Sequence, residues 1–290
     1  MRIAHLTDIH FYHPPKVSEL THLKRLMGTT NLFVLGRKSK FDITVQRALV
    51  QSVCEQEPDL VLITGDFTAQ ALESEFKLAH EELQPILDRF PTRLVPGNHD
   101  IYTNSEQNRQ TMRTYFGSHM PQNLCRYDEF GDVGVLLFDT CQPDLLSRGL
   151  ADESQFADAT ELLREATAEF VFMCIHYPLR GRRGEPYGPS TRALRNAKKL
   201  EQWLGQQSRI KAILHGHEHH GYKVELSTPT GPKIILNPGT SGYALDEGKR
   251  RRAHYNLYQV RDGRLQNIER FAYTSGGFKA EVPEAYATKG

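Results

Sequence analysis

The chain has 290 residues, 39% hydrophobic and 24% charged, which is the composition of a globular protein and excludes a disordered or fibrous one. Its 36 basic and 35 acidic side chains leave a formal net charge of +1, so no global field draws it to nucleic acid. No apolar run approaches the roughly 20 residues a bilayer span requires.

The opening "MRIAHLTDIH" reaches an aspartate before an apolar stretch can form. Cys54, Cys125, Cys141 and Cys174 make no C-x-x-C pair and no secreted-type framework. Buried thiols are expected at Cys54 and Cys174, and a cytoplasmic, reduced protein follows.

Short β-favouring runs alternate with amphipathic ones along the first three quarters of the chain. "RIAHLTD" is followed by "LVLITGD", "TRLVPGN", "VGVLLFDT", "FVFMCIH" and "KAILHGH", each bounded by turn residues. Helices are expected from about Asp42 to Glu57, where Pro58 stops the run, and over Glu73 to Arg89, Ser105 to Tyr115, Asp152 to Ala168 and Thr191 to Gln207. Alternation of this kind predicts an α/β protein. After Gly221 come "YKVELST", "KIILNPGT", "HYNLYQV" and "RLQNIERFAYT" with no long helix between them, which predicts a second sheet. No linker or repeat interrupts the chain, so one domain is expected over residues 1–275, and residues 276–290 read as a loose tail.

Five of these runs end in side chains able to bind a metal: Asp8 and His10, Asp66, Asn98 and His99, His176, then His217 and His219. The carboxyl ends of strands are where open α/β sheets bind ligands. Singly each signal is weak, since a G-D after a strand is usually a turn and a lone histidine is usually a hydrogen-bonded structural one. In this order they are specific. Asp8-Ile9-His10, Gly65-Asp66, Gly97-Asn98-His99-Asp100, His176 and Gly216-His217-Glu218-His219 resemble the signature of the calcineurin-like metallophosphoesterases, with "NPGT" (Asn237 to Thr240) similar to the closing loop of that family.

The resemblance implies two packed mixed β-sheets flanked by helices, a four-layer αββα sandwich. It also implies two adjacent divalent metal ions. Asp8, His10, Asp66 and His219 would hold the first, and Asp66, Asn98, His176 and His217 the second, with Asp66 bridging. Nitrogen and oxygen donors without thiolate suit manganese, with iron or zinc as alternatives. Two ions about 4 Å apart can activate water and clamp an in-line displacement at phosphorus. Two such ions, two aspartates and a hydroxide leave about one positive charge for an anionic phosphoester, and a neutral Asn98 preserves it. His99 is then available to protonate the leaving oxygen, and Asp100 is expected to orient it. His5, Cys174, Asp139, His215, His220 and Asn237 are expected to serve structure.

Two basic clusters bear on substrate. Lys16, Lys24, Arg25, Arg37, Lys38 and Lys40 are interspersed with apolar residues between positions 16 and 40 and face one acid, Glu19. Such a segment can lie on an anionic membrane surface or receive an acyl chain, and a helical flap with solvated charges is the plain alternative. The second cluster, Arg180, Arg182, Arg183, Arg192, Arg195, Lys198 and Lys199, follows His176. From it Arg180, Arg182, Arg183 and Arg195 are expected to grip a second phosphate. Together these features resemble the branch of the family that hydrolyses UDP-2,3-diacylglucosamine to UMP and lipid X in lipid A biosynthesis. A cyclic-nucleotide phosphodiesterase is the rival reading, a catalytically silent scaffold ranks below it, and nucleic-acid cleavage is disfavoured by the near-neutral charge.

Overall fold

Strands β1 (Arg2–Leu6), β2 (Leu60–Ile63) and β3 (Thr92–Leu94) run parallel and share a six-stranded sheet with β12 (His254–Arg261), β13 (Arg264–Thr274) and β14 (Gly277–Ala280), in the order β14-β13-β12-β1-β2-β3. The computed structural model describes residues 1–21, 25 and 40–281. A second six-stranded sheet has the order β10-β11-β9-β7-β5-β4, built from β4 (Cys125–Phe130), β5 (Val133–Phe138), β7 (Phe170–Cys174), β9 (Ile210–Leu214), β10 (Tyr222–Leu226) and β11 (Lys233–Asn237). A two-stranded ribbon pairs β6 (Gly149–Leu150) with β8 (Leu194–Arg195).

Side-chain alternation divides the core into three layers. Leu60 and Leu62 of β2 join Val133, Val135, Phe170, Phe172, Ala212 and Leu214 in the cluster between the sheets. Their neighbours Val61 and Ile63 face the other way, onto α1 (Ile43–Glu55), α2 (Glu73–Arg89) and α3 (Ser105–Phe116), through Leu49, Val53, Phe76, Leu83, Met112 and Phe116. On the far side Leu136, Phe138, Val171 and Met173 meet α4 (Glu153–Arg164) and α5 (Ala197–Leu204) through Ala159, Leu163, Leu200 and Trp203. The α/β class and the two packed mixed sheets flanked by helices are therefore as expected.

Four local expectations change. The strands after Gly221 form no sheet of their own: β10 and β11 extend the second sheet, and β12 to β14 extend the first. Strand polarity alone cannot reveal this partition, because it depends on which edge each strand reaches. The helix expected from Thr191 starts at Ala197, since Leu194–Arg195 pairs with Gly149–Leu150 and Asn196 adopts a left-handed φ of 62°. Strand β4, an edge strand with mostly half-buried side chains, went unseen because "CRYDEF" lacks an apolar period. The tail begins later than residue 276, because β14 pairs with β13 and Phe278 packs against Tyr255. Residues 282–290, and 22–24 and 26–39 of the basic insertion, lie outside the described residues.

Candidate metal centre

The loops after β1, β2, β3, β7 and β9 meet at one end of the sandwich. They carry Asp8 and His10, Asp66, Asn98, His176, and His217 and His219, all buried except half-buried His219. Five of these seven hold left-handed backbone: Asp8 (φ 51°), His10 (54°), Asp66 (56°), His217 (68°) and His219 (57°). Non-glycine residues rarely adopt this region, and each occurrence costs on the order of 1–3 kcal/mol unless the surroundings impose it. The strain is concentrated where the chain must aim side chains back over the strand ends.

Two glycines make the close approach possible. At Gly65 (φ 94°) a Cβ would lie 2.8 Å from His176 Nδ1 and 2.7 Å from the Gly97 Cα. A Cβ on Gly97 would overlap the Asp66 carboxylate. The G-D and G-N-H-D motifs thus need glycine for the same reason: two loops cross with nothing between them.

The donor atoms fall into two nests that share one oxygen. In the first, atoms of Asp8, His10, Asp66 and His219 lie within 4.8 Å of one another. His10 Nε2 is 3.4 Å from His219 Nε2 and 3.7 Å from Asp66 Oδ2, and His219 Nε2 is 3.1 Å from Asp8 Oδ1. In the second, Asn98 Oδ1 is 2.7 Å from His217 Nδ1 and 3.1 Å from His176 Nε2, which is itself 3.5 Å from Asp66 Oδ2. Asp66 Oδ2 therefore faces both nests. Its Oδ1 is occupied, accepting the backbone N–H of His99 at 2.8 Å.

Neighbouring groups fix the orientation of the imidazoles. His10 Nδ1 lies 3.1 Å from the Thr68 carbonyl and His176 Nδ1 2.7 Å from the Thr64 carbonyl, so both rings present Nε2 inward. Tyr243 Oη holds His219 Nδ1 at 2.6 Å. Burial pushes the His10 imidazole down to about 3, so it is neutral and Nε2 carries a lone pair. Burial alone would lower His176 too, but the adjoining Asp66 carboxylate holds it up to about 9. Burial raises Asp66, yet His176, His99 and His10 keep it well below the ordinary carboxylate range. The His10 Nε2 lone pair and the buried Asp8 and Asp66 carboxylates converge with His219 within 4.8 Å, and buried carboxylates packed this closely need positive charge beside them, so this set of nitrogen and oxygen donors fits divalent metal ions.

The turn that supplies Asn98 differs in one respect from expectation. Asp100 does not orient His99. Its fully buried carboxylate accepts from Thr68 N (2.9 Å) and Thr68 Oγ1 (2.9 Å) on Oδ1, and from Gly97 N (2.8 Å) and Phe67 N (3.3 Å) on Oδ2. It ties the G-D loop to the G-N-H-D loop. Burial, and then the Asp66 charge, push it up to about 7. His99 instead places Nδ1 2.6 Å from the Ala69 carbonyl and stacks on Tyr102.

Surrounding residues divide in the same way. His5 is buried between Tyr258 Oη (2.9 Å) and Thr64 Oγ1 (2.8 Å), and His215 Nδ1 lies 2.9 Å from the Gly216 carbonyl. Cys174 is in the inter-sheet core, and Asp139 pairs with Arg109 at 2.7 Å. Asn237 serves both as a turn residue, accepting from Gly239 N at 2.7 Å, and as a donor to the Gly216 carbonyl at 3.1 Å.

Of the four arginines expected to grip substrate, Arg182 alone contacts the G-H-E-H turn, through Glu218 at 3.3 Å. Arg180 is held by Glu201 on α5 at 2.6 Å, exposed Arg183 donates its backbone N–H to Glu185, and Arg195 lies exposed in β8. Sequence reasoning passed over Tyr243, Phe41 (4.4 Å from the His10 ring), Tyr177 (4.5 Å from the His217 ring) and Arg192, which donates to the His217 carbonyl at 3.1 Å. Arg192 belonged to a cluster already noted; the aromatics carried no signal.

A family model described as calcineurin-like phosphoesterase matches residues 1–221. The chain belongs to this family. Members are dinuclear metal-dependent phosphoesterases, and this chain is a phosphoester hydrolase. It is 24% identical over 219 residues, 74% of its length and 83% of the relative's, to a probable cyclic nucleotide phosphodiesterase of Vesicomyosocius okutanii. It is 24% identical over 237 residues, 79% and 82% of the two chains, to a probable glycerophosphodiester phosphodiesterase of Arcobacter nitrofigilis. In fold it is similar to a dimetal phosphatase from Danio rerio (TM-score 0.61, 12% identity, 94% and 95% covered). A purple acid phosphatase from yellow lupin is also similar (TM-score 0.60, 14% identity, 97% and 52% covered). Among the described residues no helix is long and apolar enough to cross a membrane.

Proposed function

We propose that this calcineurin-like phosphoesterase hydrolyses a phosphodiester or pyrophosphate bond at two divalent metal ions, and that UDP-2,3-diacylglucosamine is the substrate. The observation that carries the chemistry is the single oxygen, Asp66 Oδ2, that faces both nests of donors. Asp8, His10 and His219 complete one nest, and Asn98, His176 and His217 the other. Manganese is the expected metal. The pair supplies Lewis acidity at the phosphoryl oxygens and activates water.

The chain's own residues do the rest. Asp66 is fixed by the His99 N–H and keeps one oxygen between the nests. Asn98 contributes a neutral oxygen and so leaves net positive charge for an anionic ester. His99 has Nδ1 set against the Ala69 carbonyl, and Nε2 is the nitrogen that would deliver a proton to the departing oxygen.

The lipid-linked substrate draws its support from where the basic insertion starts and ends. Val17 at its start is 88% exposed, and Phe41 at its end lies on His10 and bridges to Tyr243. Phe41, where the described chain resumes after the basic insertion, thus lies at the rim of the centre, and the reading has the insertion meet acyl chains and an anionic membrane surface there. The named activities of the relatives support a second reading, a cyclic-nucleotide phosphodiesterase. Purified, manganese-loaded protein is assayed for UMP release from UDP-2,3-diacylglucosamine and for AMP release from cyclic AMP, with Asp66→Ala as the blank. UMP release by wild type alone supports the first reading. Cyclic AMP hydrolysis without UMP release replaces it with the second.

A further inference from the structure

The segment between β7 and β8 folds over the G-H-E-H turn, and three of its side chains donate hydrogen bonds to it. Tyr187 Oη donates to Glu218 Oε2 at 2.8 Å, Arg182 Nη2 reaches Glu218 Oε1 at 3.3 Å, and Arg192 Nη2 donates to the His217 carbonyl at 3.1 Å. Glu218 is thereby matched by Arg182 and Tyr187. Arg192 is not matched: among the described residues no carboxylate pairs with it, and one neutral carbonyl takes one of its five donors. Its side chain is exposed, so it faces whatever solvent or ligand lies beside His217. Tyr177 lies beneath, its ring 4.5 Å from that of His217, fully buried and with a hydroxyl that has no partner among the described residues.

We propose that Arg192 is the anchor of an anion subsite beside the His176–His217 nest, and that it reads a second phosphoryl group adjoining the one under attack. The proposal rests on the two-metal reading above and narrows its substrate class to pyrophosphate-bridged diesters. A guanidinium is suited to this because it remains charged and offers paired N–H groups to phosphoryl oxygens. The charge balance agrees. The nests as assigned leave about one net positive charge, enough for the single charge of a simple diester. An unmatched arginine adds a second, which a pyrophosphate diester uses and a cyclic nucleotide does not. Exposed arginines are costless as solvated groups, so the discriminating fact is the tether of Arg192 to the ligand-bearing residue itself.

Binding to the manganese-saturated protein is measured by calorimetry with two probes: methylenediphosphonate, which carries two phosphoryl groups and resists hydrolysis, and orthophosphate. Arg192→Ala is expected to weaken methylenediphosphonate roughly 10- to 100-fold, the size of a lost charged hydrogen-bond pair, and to leave orthophosphate within about twofold. Arg192→Lys should recover part of the loss. Equal weakening of both probes would mean that Arg192 serves the centre through His217, and no weakening of either would mean a solvated arginine; each overturns the proposal. Turnover of bis(p-nitrophenyl) phosphate by wild type tests the two-metal reading separately. Arg192-dependent binding in a protein without that turnover would remove the hydrolase mechanism and leave the subsite standing.

Discussion

Replacing Asp100 by alanine separates a residue that holds the turn from one that orients His99. The carboxylate is fully buried and accepts three backbone N–H groups and one hydroxyl. The Thr68 hydroxyl has an alternative acceptor, the His99 carbonyl at 3.1 Å, and the Phe67 bond at 3.3 Å is long. Two well-formed backbone donors, at Thr68 and Gly97, are therefore stranded. At about 1–3 kcal/mol for each buried unsatisfied group, with a smaller share from Phe67, the loss comes to roughly 3–6 kcal/mol. That is a large part of the 5–15 kcal/mol typical of a domain and corresponds to a fall in Tm on the order of 10 °C. Calorimetric unfolding at pH 8, above the value of about 7 to which burial raises this carboxyl, measures the drop. Manganese titration of the same variant should show weakened binding, because Asp66 and Asn98 sit on the two loops that Asp100 joins. A variant as stable as wild type, with full metal content but slow turnover and a shifted pH profile, would refute this and return Asp100 to the orienting role.

Three other outcomes follow from the same geometry. His99→Ala keeps the backbone N–H on Asp66, so metal content by elemental analysis stays at the wild-type level while kcat falls about 100-fold or more. Tyr243→Phe removes the hydroxyl that positions His219 and lowers metal affinity about tenfold, with equal stability of the metal-free proteins in urea. Glu75 is buried beneath the loop at 70–72, where burial outweighs its backbone donors and raises it to about 8. A carboxyl raised in the folded state stabilises fully below its unfolded value of about 4.3 and loses that contribution as pH climbs through 8. Glu75→Gln should abolish that slope and be the more stable protein above pH 8, as followed by chemical denaturation from pH 4.5 to 9.

The sequence by itself determined the class and the residues that folding brings together at the candidate centre. Each strand that runs into the site is a short apolar run closed by a turn, and the turn residues Gly65, Gly97 and Gly216 come with Asp66, Asn98 and His217 at fixed spacing. Such local signals survive without knowledge of partners, because the strand and its terminal side chain are contiguous. What only the tertiary structure decided is non-local. Whether β12 to β14 extend the first sheet or make their own depends on the edge left vacant beside β1, which no stretch of "HYNLYQV" encodes. That Asp100 faces Phe67, Thr68 and Gly97 and not its neighbour His99 depends on two loops crossing, 30 residues apart in the chain. Arg192 and Tyr243 illustrate the same limit. One is an ordinary member of a basic cluster and the other an ordinary tyrosine until folding sets them 3.1 Å from the His217 carbonyl and 2.6 Å from His219 Nδ1. Residue type and spacing name the atoms that can bind a metal, whereas the groups that orient those atoms are chosen by packing.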